Sequence, residues 1–248
     1  WLDAALVGAP IELNVVGDFD PEALTQSILA TFGALEPRTP DKQIDAALRR
    51  VESPKPPAKQ TFTYRSEVKK GQAVIAWPVP GQRENPKAFR RFNVLSKILG
   101  DRLRETIREK LGASYSPQAV ASGSDALDDY AFLIAVSQGG PDDVQTLIDT
   151  TLELAGDFST QGATQDELDR TLQPTLTELK KSQRSNSYWL GKVLAGSTSD
   201  PNQIDLARSV LDDYQSITLD EINPLARKHL TQPNTLIIRM LPAAPESE

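Results

Sequence analysis

The apolar residues of this chain alternate with polar ones in some segments and recur at helical spacing in others. Runs of about four to eight residues that are rich in β-branched side chains are typical of strands. Such runs occupy six segments: 11–16, 60–66, 72–79, 116–122, 130–137 and 235–241. Apolar residues spaced three and four apart, which mark the buried face of a helix, predict helices over 21–32, 86–111, 142–157, 164 to about 180, 187–196, 204–211 and 218–230.

Capping residues fix where several of these helices begin. Asp20 precedes Pro21, a pair that suits the N-cap and first position of a helix. Capping boxes at 164–167 and 218–221 start two more helices, the first of which should bend at Pro174. The proline-rich stretch 36–60 predicts a long surface connection with at most one short helix near 44–51.

The resulting order, β-α-β-β-α-β-β-α-α-α-α-α-β, pairs the strands early and groups the helices late. This order favours an α+β fold, with one sheet covered by helices on one face, over a doubly wound parallel sheet. No shift in composition divides the chain, so we expect a single domain over 10–241, preceded by a linker end at 1–9. The segment 242–248 is rich in Pro, Ala and Glu and predicts a disordered tail.

Composition excludes several kinds of chemistry. The 248 residues include one His and no Cys, so thiolate catalysis, disulfides and a two-His zinc site cannot be built from this chain alone. The net charge of −7 argues against nucleic acid as the main partner, and no apolar run is long enough for a membrane span. The chain starts at Trp1 without a methionine or a signal peptide, which suggests a piece of a longer protein.

Self-contained catalysis has little support in the sequence. A Ser-His-Asp hydrolase would have to use His229, but a histidine beside Lys228 at the end of a predicted helix suits the helix dipole without any catalytic role. A calcium site around Asp128 and Asp129 is conceivable, although the loop lacks EF-hand spacing and an ordinary polar turn explains it.

One segment, I-R-E-K-L-G-A-S-Y-S-P at 107–117, carries the most promising pair of side chains. The predicted helix ends at Gly112, so the chain leaves it between Arg108 and Tyr115 and the two side chains could converge at one edge of the sheet. Arg offers a planar fork for a carbonyl or carboxylate, and Tyr offers a neutral donor for a developing oxyanion. The alternative is an arginine in a surface ion pair and a tyrosine in the core.

The same segment resembles the I-R-E-x-x-G-x-x-Y-S motif in the non-catalytic half of the insulinase/pitrilysin family of zinc metallopeptidases. Two further stretches are similar to that family: the opening P-I-E-L-N-V-V-G-D-F-D, and T-L-T-E-L-K-K-S-Q-R-S-N-S-Y-W-L-G-K-V-L near the C-terminus. Together the likeness extends from residue 10 to about residue 240. It is nearest to the last domain of bacterial pitrilysin-like enzymes.

The resemblance implies a mixed, largely antiparallel sheet and a role in a larger enzyme. The family's His-x-x-Glu-His zinc motif lies in another domain, so zinc is expected in the N-terminal half of the parent chain and no cofactor in this part. Arg108 would hold the substrate backbone and Tyr115 would hydrogen-bond the scissile carbonyl as it becomes tetrahedral, in a chamber shared with the N-terminal catalytic half. The substrate would be a peptide or an unfolded protein.

Under this interpretation the chain alone is inactive and the parent is a zinc metalloendopeptidase, which the resemblance places in the bacterial periplasm. The main alternative is a catalytically dead structural or interaction domain of an insulinase-like scaffold. A serine hydrolase that uses His229 is the third hypothesis.

Overall fold

The structure, a computed structural model, describes residues 2–38, 46–52, 54–112, 116–200 and 202–243. Its strands are β1 (Ala58–Tyr64), β2 (Gly71–Val79), β3 (Gln118–Gly123), β4 (Ala131–Gly139) and β5 (Leu236–Pro242). Its helices are α1 (Leu2–Gly8), α2 (Pro21–Ala30), α3 (Pro86–Leu111), α4 (Val144–Gln161), α5 (Gln165–Ser182), α6 (Asn186–Tyr188), α7 (Gln203–Arg208), α8 (Val210–Gln215) and α9 (Leu219–His229).

The five strands form one mixed sheet in the order β1-β5-β2-β4-β3. β1 pairs with β5 in parallel, and the other three pairs are antiparallel. The predicted α+β class with a largely antiparallel sheet is therefore confirmed. β1 and β2 are consecutive in the chain but are not neighbours, because β5 from the far end of the sequence lies between them.

Helices pack against one face of this sheet. Burial alternates along β2 and β4, so that every second residue is buried and its neighbours are half-exposed. α3 contacts β3 and β4, and α4 and α9 contact β2. α3 approaches closely at Gly100, where a Cβ would lie 3.2 Å from the backbone nitrogen of Ala119. The core lies between the sheet and these helices, and its largest fully buried side chains are Trp77, Phe92, Phe158, Ile75, Leu95, Ile98, Leu99, Leu103, Ile107, Leu133, Leu147 and Leu168.

The chain divides into two compact units. One unit comprises Trp1–Asp45 and Leu176–Asp212, and the other comprises Ala46–Thr175 and Asp213–Glu248, which includes the sheet. The single domain over 10–241 stays a prediction. Most of the proposed tail lies outside the described residues.

The predicted strand at 11–16 is wrong. These residues pair with no strand and form no ladder hydrogen bonds among the described residues. Side chains hold the segment instead: Glu12 accepts hydrogen bonds from Asn14 at 2.8 Å and from Thr198 at 2.7 Å. Both hydrogen bonds lower the pKa of Glu12, and the one from Asn14 has the larger effect. The β-branched composition favoured an extended backbone, but a strand also needs a partner.

The later helices differ from the prediction in detail. α5 starts at its capping box as predicted and continues through Pro174 to Ser182. The helix predicted over 187–196 is instead the short α6 followed by a π-helical turn, Trp189–Leu194. The capping box of α9 is present, with Thr218 and Glu221 bonded reciprocally.

Partly buried ion pairs attach α3 to its neighbours at two points along the helix. Arg102 donates to both carboxylate oxygens of Glu167, at 2.6 and 2.8 Å, and its guanidinium lies 4.3 Å from the centre of the Phe158 ring. The hydrogen bond from Arg102 lowers the pKa of Glu167 to about 2. Near the start of the same helix, Arg91 forms ion pairs with Asp213 at 2.5 Å and with Glu221 at 3.0 Å.

His229 is a core residue and not a solvated end of a helix. It is 7% exposed, and its ring stands edge-on to Phe92 at a centroid distance of 5.1 Å. Nδ1 lies 3.3 Å from the carbonyl oxygen of Pro78, which can only accept, so Nδ1 carries the hydrogen and Nε2 is bare. Nε2 is buried without a hydrogen-bond partner in the described chain. The described residues therefore form no serine hydrolase triad around it, and burial lowers the pKa of His229.

We predict that Gly71→Ala destabilises the fold by about 1–3 kcal/mol through overpacking. A Cβ at Gly71 would overlap Val144 Cγ2 and lie 3.2 Å from the Cα of Pro141. Gly156→Ala, in α4, is the matched control. A Cβ there meets nothing within 4 Å, so the change should raise the free energy of unfolding by about 0.5–1 kcal/mol. Urea unfolding measures both changes, and a Gly71→Ala midpoint equal to that of the unsubstituted chain would contradict the packing described.

We predict that the free energy of unfolding falls as pH drops below about 6.5, the ordinary pKa of histidine, because the unfolded state binds a proton that the buried His229 resists. The contribution is fully present above that pKa and is lost as pH falls. Since the sequence contains one His, His229→Gln should flatten this dependence between about pH 7 and pH 5. Urea unfolding across this range is the measurement, and an unchanged slope in His229→Gln would contradict the assignment.

Candidate peptide-binding groove

The face of the sheet opposite the helices is only half-covered and carries a band of apolar side chains. The register places Val120 opposite Ile134, and Val136 between Gln118 and Val74. All five side chains therefore lie on one face, since directly paired residues of adjacent strands point the same way. Phe62 of β1, which is 46% exposed, extends the same face through its pairing with Met240 of β5.

A groove of about 620 Å³ lies over the part of this face formed by β2, β3 and β4. Its volume is in the range of small-molecule and peptide side-chain sites. No acidic residue lines it. The lining residues are Lys69, Lys70, Gln72, Ser116, Gln118, Val120, Ile134, Val136, Gln138, Gly139 and Gly140.

The lining changes in character along β4. Ile134 and Val136 form an apolar floor together with Val120 of β3. The next open-face residue of β4, Gln138, pairs with Gln72 of β2, so amides follow the apolar floor. Beyond them lie Gly139, Gly140 and the two lysines that precede β2. Such a surface can bury apolar side chains and offer hydrogen bonds to a peptide backbone, but it holds no nucleophile activated by a base.

The lysine end of the groove is held by hydrogen bonds and close packing. Tyr64 donates its hydroxyl hydrogen to the carbonyl of Lys70. The amide of Lys70 donates to Val68 at 2.9 Å, and Gly71 packs against Val144. The backbone of the turn is therefore fixed, while the side chains of Lys69 and Lys70 are exposed.

Arg108 lies in the last turn of α3 and its side chain is exposed. Its carbonyl accepts the amide of Gly112 at 3.0 Å, and Gly112 ends the helix with a positive φ of 93°. That conformation favours glycine and ends the helix there. The side chain of Arg108 contacts no other described residue through a hydrogen bond or an ion pair.

Tyr115 lies outside the described residues, so its convergence with Arg108 stays a prediction. The residue that follows it, Ser116, lines the groove.

The sequence prediction missed the groove residues. Lys69 and Lys70 fall between the predicted strands 60–66 and 72–79, where an ordinary turn explains them, and the alternation along β2 and β4 indicates only which residues form the core. The signal was in the sequence, because the half of each alternating strand that faces away from the core still contains valine and isoleucine.

The described residues contain no cluster of three His, Cys, Asp or Glu side chains that could hold a metal ion. The loop suggested for calcium is used otherwise: Asp128 pairs with Arg83 at 3.3 Å, Asp125 accepts from Gln82, and Asp129 accepts from the amide of Gly81 at 3.4 Å. In the described part of the chain, no helix combines the length and the hydropathy needed to cross a membrane.

Residues 8–174 match the family model described as "Peptidase M16 inactive domain". Over 141 residues the chain is 26% identical to the chloroplastic stromal processing peptidase of Oryza sativa subsp. indica, a match that covers 56% of this chain and 11% of the relative. The chain therefore spans about a tenth of that protein's length.

Two solved structures share the fold. A protease from Helicobacter pylori aligns with a TM-score of 0.71 at 18% identity, over 92% of this chain and 54% of that one. The periplasmic protease PqqL from Escherichia coli aligns with a TM-score of 0.62 at 19% identity, over 92% of this chain and 25% of that one. With the family match covering most of the chain, the resemblance to the non-catalytic half of these peptidases is confirmed: this chain belongs to the inactive-domain family of the M16 peptidases.

Proposed function

We propose that this chain forms one wall of the substrate chamber of a zinc metalloendopeptidase. The observation that supports this most is the groove on the open sheet face, an apolar floor edged by amides. The helices contact the opposite face, so a peptide can reach the groove. Other family members are named as proteases, which is why we place the chain in a peptidase and not in a scaffold.

We further propose that Arg108 and Tyr115 act on the substrate at the end of α3. The exposed guanidinium of Arg108 would bind backbone carbonyls of an extended peptide with its planar set of donors. Tyr115 would donate its hydroxyl hydrogen to the scissile carbonyl oxygen as negative charge develops there. Ser116 at the groove rim supports this position for its neighbour.

The residues of this chain do not fit a zinc site. It has no Cys, and its one His is buried against Phe92 and Pro78. Zinc and the nucleophile are therefore assigned to the N-terminal half of the parent chain. The role left to these residues is to position the peptide and to stabilise charge. A periplasmic location is part of the same proposal, supported by the likeness to PqqL.

In the parent enzyme, Tyr115→Phe should lower kcat about 10- to 1000-fold, since it removes one donor to the developing oxyanion. Arg108→Ala should lower kcat/KM, and Arg108→Lys should restore little because it lacks the bidentate fork. Arg104→Ala is the control on the same helix, since Arg104 is exposed and pairs only locally with Asp101. Steady-state hydrolysis of a fluorogenic peptide is the measurement. Full activity of Tyr115→Phe and Arg108→Ala would contradict the roles, and a parent with no hydrolysis would favour the scaffold alternative.

The groove can be tested on this chain directly. Val120→Asp, at a half-exposed groove position, should weaken the binding of an apolar extended peptide about tenfold by removing apolar contact and adding a charge. Leu48→Asp is the control, since Leu48 is 73% exposed and does not line the groove. A titration monitored by two-dimensional NMR of the labelled chain detects affinities down to millimolar. Equal affinities for Val120→Asp and Leu48→Asp would contradict a peptide site in the groove.

A further inference from the structure

The groove has a charged end that the motif residues do not explain. Lys69 and Lys70 line it, and neither ammonium group has a salt-bridge partner in the described part of the chain. This local charge is opposite to that of the whole chain, which is −7. Among the described residues no acidic side chain lines the groove, so a ligand with a carboxylate at this end meets two cations directly, while Asp142 and Asp143 lie only beyond the lining.

We propose that Lys69 and Lys70 select extended peptides that carry a carboxylate about four residues from an apolar side chain. This inference rests on the proposed function, since it names the substrate class of the same groove. The occupant is a peptide segment, because the amides of Gln72, Gln118 and Gln138 can bond backbone groups along the floor.

The spacing follows from the strand geometry. Ile134 marks the apolar floor and Gln138 marks the start of the polar end, four residues along β4. At about 3.3 Å per residue this distance is about 13 Å, which an extended peptide also covers in about four residues. A peptide that lies along β4 with an apolar side chain over Ile134 therefore brings a carboxylate within reach of the lysines.

The expected preference is moderate. Exposed ion pairs contribute about 0.2–1 kcal/mol each, so two of them correspond to about a two- to thirtyfold preference over a neutral peptide, of which we expect the lower part, about three- to tenfold. Asp142 and Asp143 come just after the groove residue Gly140 but do not line the groove. Their negative charge lowers the preference for a carboxylate and so keeps it in this range. The preference should shrink with added salt because the site is open to solvent.

The test uses nine-residue peptides with blocked ends, a central Phe, and Glu at both the first and the last position, so that either binding direction presents one Glu to the lysines. The matched peptide has Gln at both positions. A third peptide, with a blocked N-terminus and uncharged side chains, ends in a free carboxylate four residues after the Phe, and it distinguishes a terminal carboxylate from an acidic side chain. Affinities for the 248-residue chain come from NMR titration at low and high salt.

We expect the Glu peptide to bind about three- to tenfold more tightly than the Gln peptide, and Lys69→Glu/Lys70→Glu to reverse that order. Lys69→Gln/Lys70→Gln should make the two peptides equal, which provides a milder variant if the charge reversal impairs folding. The control is Lys180→Glu/Lys181→Glu, a second pair of adjacent exposed lysines that does not line the groove; it should keep the preference.

Two results would overturn the inference and are distinguishable. If the Glu and Gln peptides bind the unsubstituted chain equally, the proposed charge selection is wrong, but the groove is still a peptide site. Failure of every peptide to bind at millimolar concentration removes the groove as a peptide site, and the selection with it.

Discussion

Everything on the open face of the sheet depends on one constraint, the burial of α3 along the opposite face. Over 26 residues this helix buries one continuous apolar stripe, and Gly100 lets its backbone come close to β3. Because α3 covers one face of the sheet, the other face is left open to a ligand. The middle of that open face is apolar. The same packing decides where α3 ends, and hence where Arg108 and the segment leading to β3 emerge.

Electrostatics reinforces this packing at two points along α3. Burial alone would raise the pKa of Asp213, but the hydrogen bonds from Arg91 and Arg90 lower it. Together with the Arg102–Glu167 pair, these contacts connect α3 to α5, α8 and α9. Partly desolvated pairs of this kind cost much when one partner is removed, so they favour one arrangement of the helices over alternatives. A long helix held at several points is a rigid support for the exposed Arg108 in its last turn.

Most of the sheet and the long helices could be predicted from the sequence, because their signals are local. Alternation marks β2 and β4, and capping residues mark α2, α5 and α9. Pairing could not be predicted in the same way. Residues 11–16 have the composition of a strand but no partner strand among the described residues. By contrast, β5 lies between β1 and β2 although it begins at Leu236, 157 residues after β2 ends at Val79. His229 ends α9 as predicted, but its burial could not be predicted, because the position of a residue in a helix does not show which tertiary neighbours cover its side chain. Arg108 and Tyr115 came from a family motif, and the groove lysines came only from the folded sheet.

The position of β5 also bears on how the protein is made. β1 is an edge strand that pairs with β5, and β5 ends at Pro242. During synthesis β1 therefore leaves the ribosome long before the strand that must lie beside it. Until then its backbone groups are unpaired, and the β2 edge that β5 will occupy is exposed. Contacts this distant in sequence slow folding and expose strand edges to other chains. The region matched by the family ends at residue 174, so a fragment cut there would keep the groove strands but permanently lack the strand that joins β1 to them.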